Sequence, residues 1–148
     1  MIRSESPPVD AQRSAIMRAV KSRNTRPEIA LRKSLFARGF RYRLNVGHLP
    51  GSPDLVSPKF RAVIFVHGCF WHGHDCPRGA RIPATNQAYW IAKIDRNKAR
   101  DRRNIKALRK MGWRVLVSWE CRQKELSKES ARCARWLKRR STAAGTAT

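Results

Sequence analysis

The spacing of apolar positions changes character several times along the chain, and each change marks an element. Between 10 and 21, Ile16, Met17 and Val20 share one side of a short amphipathic helix. "NTRPE" then restarts a helix. Thr25 fits the N-cap, Glu28 stands three residues on as in a capping box, and Pro27 is tolerated in the first turn. Leu31, Leu35 and Phe36 predict its apolar stripe, and Gly39 ends it. "FRYRL" (40–44) alternates like an edge strand, and "NVGHLPGSP" is rich in turn residues. "DLV" (54–56) and "RAVIFV" (61–66) predict two strands. The second is apolar without interruption, as expected of a strand covered on both faces. A loop follows over 77–85, then a long helix over 86–111 stopped by Gly112. "WRVLVSW" (113–119) predicts another buried strand, and 126–140 a closing helix with Trp136, Leu137 and alanines facing inward. This order predicts an α/β fold, a mixed central sheet flanked by helices. Residues 10–140 form the expected single domain, between disordered tails at 1–9 and 141–148.

Composition leaves that picture intact but narrows the partner. Thirty-three Lys and Arg stand against 10 Asp and Glu, a formal charge of +23 on 148 residues. An excess this large costs stability through self-repulsion and points to a polyanion. Nucleic acid leads. A membrane surface is disfavoured, because no long apolar run and no signal-peptide core is present. The cytoplasm is then the expected compartment, where four cysteines are reduced or metal-bound rather than paired. The stretch 93–110 carries nine Lys or Arg and two Asp, a broad phosphate-binding helix surface.

Few carboxylates allow each to be weighed. Asp10, Asp95, Asp101, Glu125 and Glu129 lie in or beside basic helices and read as solvated ion-pair partners. Asp54 differs: it follows "PGSP" and opens a strand, a position from which a divalent cation could bridge it to a phosphate. Glu28 reads either as a cap partner or as a neighbour of that site. In "FVHGCFWHGHDC" (65–76), Cys69, His74 and Cys76 lie close together, and Cys121 follows the strand 113–119. Three thiolates and an imidazole suit a closed zinc site. The alternative makes Cys69 and Cys121 small buried apolar groups. Cys133 reads as a packing residue. His67 and His72 are either structural hydrogen-bonders or proton carriers near Asp54. Phe70 and Trp71, with Tyr89 and Trp90 nearby, are either core or wedges between base steps. Trp113, Trp119 and Trp136 read as core.

The motifs "LPGSPD", "RAVIFVHGCFWHGHDC", "AYWIAKIDRNKARDRRN" and "GWRVLVSWEC" closely resemble those of the very short patch repair (Vsr) DNA mismatch endonucleases, over about residues 13–121. The resemblance implies a restriction-endonuclease-like fold with a structural zinc site. It also implies Mg²⁺-dependent nicking on the 5′ side of the thymine of a T·G mismatch. Such mismatches arise by deamination of 5-methylcytosine, and the nick begins their repair. By the same resemblance Asp54 is the metal-binding catalytic aspartate, His72 the catalytic histidine, His67 a second active-site histidine, and Glu28 a glutamate at that site. Cys69, His74, Cys76 and Cys121 match the zinc ligands, and Phe70, Trp71 and Trp90 the aromatics inserted at the mismatch. Val66 stands where familiar members carry Thr. If that position binds Mg²⁺ through its backbone carbonyl, Val suffices. Gly73 stands where a histidine run can occur. The implied partners are double-stranded DNA with a T·G mismatch and mismatch-repair proteins, for a monomer associated with the nucleoid. The competing readings are a non-catalytic zinc-stapled DNA-binding module and a nuclease of a restriction or phage system.

Overall fold

The computed structural model describes residues 25–139. The helix expected over 10–21 and both expected tails lie outside the described residues. Helix α1 (Arg26–Ala37) starts with the full capping box: Thr25 and Glu28 each bond the other's backbone, and Pro27 sits in the first turn. Strands β1 (Arg43–Leu44), β2 (Leu55–Ser57) and β3 (Ala62–His67) follow. Then come a one-turn helix α2 (Pro77–Ala80), the long helix α3 (Gln87–Lys110), β4 (Arg114–Trp119), a 3₁₀ segment (Glu120–Glu125) and α4 (Leu126–Lys138).

The four strands form one mixed sheet in the order β1-β2-β3-β4. The first two pairings are antiparallel, and β3 pairs parallel with β4. A parallel pair needs a long crossover, which α3 supplies. Because β3 is central, its successive side chains go to opposite cores. Ala62 and Ile64 join Leu31 and Leu35 of α1 and Cys133, Ala134 and Leu137 of α4. Val63 and Phe65 join Val56, Leu49 and Leu108 beneath α3. Burial on both faces is why this run shows no alternation in sequence. The register Ala62↔Arg114 through His67↔Trp119 brings the ends of β3 and β4 level. The loops bearing Cys69 and Cys121 therefore leave the sheet side by side.

Several expectations are corrected. Phe36 is 51 % exposed, because its place beside Leu35 turns it off the buried stripe. It packs instead under the Arg41 guanidinium, 3.8 Å from the ring centre. "FRYRL" contributes only a two-residue strand, the 77–85 loop contains α2, and the 3₁₀ segment had no signature in the apolar pattern. Glu129 is not solvated. It is buried, accepts from Ser118 Oγ at 2.5 Å and pairs with Arg132 at 2.6 Å. Cys133 is buried as expected.

Candidate active site

At the His67 end of β3, an open cleft of about 810 Å³ lies between the start of α1, the middle of α3 and the 65–72 segment. Glu28, Asp54, Asp101 and Glu120 all line it, half of the eight carboxylates among the described residues. Acidic groups gathered in so basic a chain mark a place for cations or protons rather than for more phosphate contacts.

Asp54 is delivered by the turn before it, where Gly51 and Ser52 take positive φ values of 77° and 46°. Only Gly is at ease there, and a Cβ on Gly51 would press on Phe65 and Asn104. Asp54 Oδ2 accepts the Val66 N–H at 2.6 Å. In an extended strand the N–H and C=O of one residue project to the same edge, so the Val66 carbonyl leaves β3 on the Asp54 side. The last β2–β3 pair is Leu55↔Ile64, so β2 does not cover it. Burial pushes the Asp54 carboxyl up to about 8. The Val66 amide opposes this, and the adjacent Glu28 carboxylate adds to it. A hard divalent cation would relieve that cost, and the oxygen donors here suit one such as Mg²⁺. Glu28 itself is 4 % exposed and does two things at once. Oε1 accepts the Thr25 N–H at 3.2 Å in the capping box, while Oε2 accepts from Asn45 Nδ2 at 3.2 Å in the cleft.

His67 and His72 lie ring on ring, centroids 3.7 Å apart and planes 4° from parallel. His72 Nδ1 is 2.6 Å from Asp101 Oδ2. The carboxylate fixes the ring's orientation and leaves Nε2 as the atom that can meet a substrate. Burial, then the His72 and Arg100 charges, push the buried His67 imidazole down to about 3, against the pull of Asp101. It is therefore neutral near pH 7. Its Nδ1 has no hydrogen-bond partner among the described residues. The ligand atoms of His67, His72 and Asp101 lie within 4.8 Å of one another. With the rings parallel and His72 Nδ1 engaged by Asp101, the arrangement favours passing protons over a shared metal.

Beyond β3, the ligand atoms of Cys69, His74, Cys76 and Cys121 also all lie within 4.8 Å of one another. Backbone amides face the sulfurs: Cys121 N–H points to Cys69 Sγ and Gly79 N–H to Cys76 Sγ, both at 3.3 Å. Burial raises the Cys76 thiol. The bonds from Gly79, His74, Cys69 and Cys121 outweigh it and bring the group down to about 6. Thiolate stabilisation by backbone amides, with an imidazole as fourth donor, fits a tetrahedral zinc ion. Trp119 stacks on the His74 ring at 4.1 Å and meets His67 edge-on at 5.2 Å. It is only half-buried and ties the cluster to the cleft rather than serving as plain core.

Phe70, Trp71 and Trp90 form a triangle of edge-to-face rings with centroids 5.0 to 6.0 Å apart. Asn97 of α3, itself buried, donates to the Trp71 carbonyl at 2.8 Å. Trp90 is 9 % exposed, so in this conformation it backs the other two rings instead of projecting. Tyr89 beside it is half exposed.

The site residues expected from sequence thus fall into three adjoining groups: Asp54 with Glu28, the histidine pair, and the Cys/His cluster with its enclosed aromatics. Asp101 was missed, because its neighbours in sequence are basic. A signal was available: Asp101 shares the 94–97–101–105–108 spacing of inward positions on α3. Glu120, which pairs with Arg78 at 3.2 Å on the cleft wall, had no such signal.

Residues 9–78 match the sequence model of the family described as DNA mismatch endonuclease Vsr. A type II nicking enzyme of Xanthomonas oryzae pv. oryzae is 49 % identical over 82 % of this chain and 88 % of its own length. A second type II nicking enzyme, from Neisseria meningitidis, is 46 % identical over 77 % of this chain and 81 % of its own. The DNA mismatch endonuclease Vsr of Escherichia coli K12 is 47 % identical over 75 % of this chain and 70 % of its own. With identities of 46 to 49 % over three quarters of the chain or more, the chain belongs to the Vsr family of DNA mismatch endonucleases.

Proposed function

We propose that this chain is a Mg²⁺-dependent, strand-specific endonuclease that nicks duplex DNA on the 5′ side of the thymine of a T·G mismatch, and so begins very short patch repair. The observation that carries the reading is the convergence of Asp54 and the Asp101–His72 pair on one cleft, with Phe70 and Trp71 at its border. Asp54 and the Val66 carbonyl would hold the magnesium ion, with Glu28 beside them. When bound, the ion supplies charge neutralisation at the scissile phosphate. His72, oriented by Asp101, takes the proton from the attacking water or returns one to the leaving oxygen. Neutral His67 packs against His72 and keeps water from that face. Cys69, His74, Cys76 and Cys121 would hold a zinc ion with no open position, fixing the loop that carries Phe70, Trp71 and His72. The two aromatic rings enter the mismatched step, backed by Trp90, while the basic side chains of α3 beside the cleft, Arg100 among them, hold phosphates.

The reading as a non-catalytic DNA-binding module leaves the His72–Asp101 bond and the Asp54 turn without a purpose. The Xanthomonas and Neisseria relatives are named as nicking enzymes, which accords with cutting of one strand. The deciding experiment presents matched, T·G-mismatched and single-stranded DNA with and without Mg²⁺ and maps each product. One nick, on the thymine strand of the mismatched duplex and only with Mg²⁺, is expected. Cutting of matched duplex at the same rate, or of both strands, would overturn the proposal.

A further inference from the structure

The parallel β3–β4 pair gives the molecule two ends. The cleft occupies the His67↔Trp119 end, and the other end begins at Ala62↔Arg114, about 17 Å away at a strand rise of about 3.3 Å per residue. At that far end the chain gathers cations. Arg61 lies over the Trp113 ring at 4.5 Å and donates to the Met111 carbonyl at 3.1 Å, next to Arg109 and Lys110 at the end of α3. Lys59 lies 5.4 Å from the Phe60 ring centre, which is 6.0 Å from that of Phe40. Lys138 covers Phe40 at 5.9 Å. Arg114 is spent on the carbonyls of Phe60, Trp136 and Leu137, and is close enough to Arg139 to feel its like charge. No carboxylate occurs in 55–64, 102–114 or 130–139, the segments that build this end. The described carboxylates lie elsewhere, four of them in the cleft.

A patch of uncompensated like charge works against folding, so it calls for a partner that supplies the missing anions. The rings on this pole, Phe60 and Trp113, lie under the cations Lys59 and Arg61, which leaves Met111 as the exposed large apolar side chain at the end of α3. Cations that outnumber any local carboxylate suit a phosphate backbone read without regard to sequence. We propose that this pole, formed by Lys59, Arg61, Arg109, Lys110, Lys138 and Arg139, grips the phosphates of a second duplex DNA segment while the cleft holds the first. The pole takes no part in hydrolysis; it lets the protein bridge two stretches of DNA and transfer between them. The inference borrows from the proposed function only that duplex DNA occupies the cleft.

The test immobilises a short T·G duplex, loads about one protein per duplex in the absence of Mg²⁺, and adds a labelled matched duplex. Wild-type protein should retain the labelled duplex. The triple variant Lys59→Glu, Lys138→Glu, Arg139→Glu, altered only at exposed positions outside α3, should lose at least about tenfold of it. In the variant, binding of the immobilised duplex, and its nicking once Mg²⁺ is supplied, should be unchanged. Binding of the second duplex should also lose salt dependence, by about 0.9 in the log–log slope for each phosphate contact removed. Wild-type protein that binds the first duplex but not the second overturns the bridge and leaves the proposed function standing. So does a variant that retains the second duplex as well as wild type. A variant that loses both duplexes together makes the pole part of a single binding path and also overturns it. Wild-type protein that binds neither contradicts both readings.

Discussion

Asp54 is held in a place where its own charge is costly, and the cost has a measurable sign. In the folded, magnesium-free chain its carboxyl keeps a proton up to about pH 8, whereas the ordinary value is 3.8. Between those limits folding takes up a proton, so this group's contribution to stability falls as pH rises through the window. Thermal melts of zinc-loaded, magnesium-free protein should decline from about pH 5 to about pH 9, and Asp54→Asn should flatten that decline. Added Mg²⁺ should raise the wild-type melting temperature at the alkaline end and leave the variant's unmoved. His67 titrates in the opposite sense. Its neutral form is favoured by the fold, a contribution present above about 6.5 and lost as pH falls through about 3. Asp101 acts through His72. Asp101→Asn should lower kcat by about 100-fold or more, as expected when an oriented general acid or base loses its orientation. The KM for duplex should stay near wild type; a change confined to KM would assign Asp101 to DNA binding instead. Asp54 stood out in the sequence because an acid after a Pro-Gly turn is conspicuous in a basic chain. Asp101 did not, because what singles it out is a contact with a residue 29 positions away.

The elements divide the labour by where they end. The run β3 is apolar enough to be read as central without help, and the capping box of α1 was legible because its spacing is fixed by local hydrogen bonds. What the local pattern lacks is the register that levels β3 with β4 and sets the Cys69 and Cys121 loops side by side. Spacing alone therefore left the cysteines open between a metal site and packing, and the fold brings their sulfurs together. The 3₁₀ segment after β4 lacked a signature for a related reason: its role is to turn Cys121 toward the cluster, not to bury a stripe. The cluster is expected to hold about one zinc per chain by metal analysis. Stripping it with a strong chelator should cost several kcal/mol of stability, because the donor loops would be left to order themselves. It should also abolish nicking, and zinc should restore both. A protein purified metal-free, folded and active would refute the closed-site reading.

At the scale of the whole molecule, a positive chain keeps its few acids for two jobs. Some stabilise buried contacts, as Glu129 does between β4 and α4. Others are concentrated in one cleft at the shared ends of the parallel strands. Net charge by itself points to a polyanionic partner, but it does not say which surfaces face that partner. Where the cations are unopposed depends on which segments the sheet brings to each end. The twelve residues from Phe65 to Cys76 show the arrangement in miniature: metal ligands, enclosed aromatics and the oriented histidine alternate along one loop. The central claim is that hydrolysis is performed in this cleft around Asp54. Its most direct test compares wild type with Asp54→Ala on one T·G duplex, reading binding and Mg²⁺-dependent nicking on the same preparation. The account predicts duplex binding within a few-fold of wild type and nicking reduced by at least about a thousandfold, as expected when a metal-binding carboxylate is lost. Nicking by Asp54→Ala at or near the wild-type rate would contradict it.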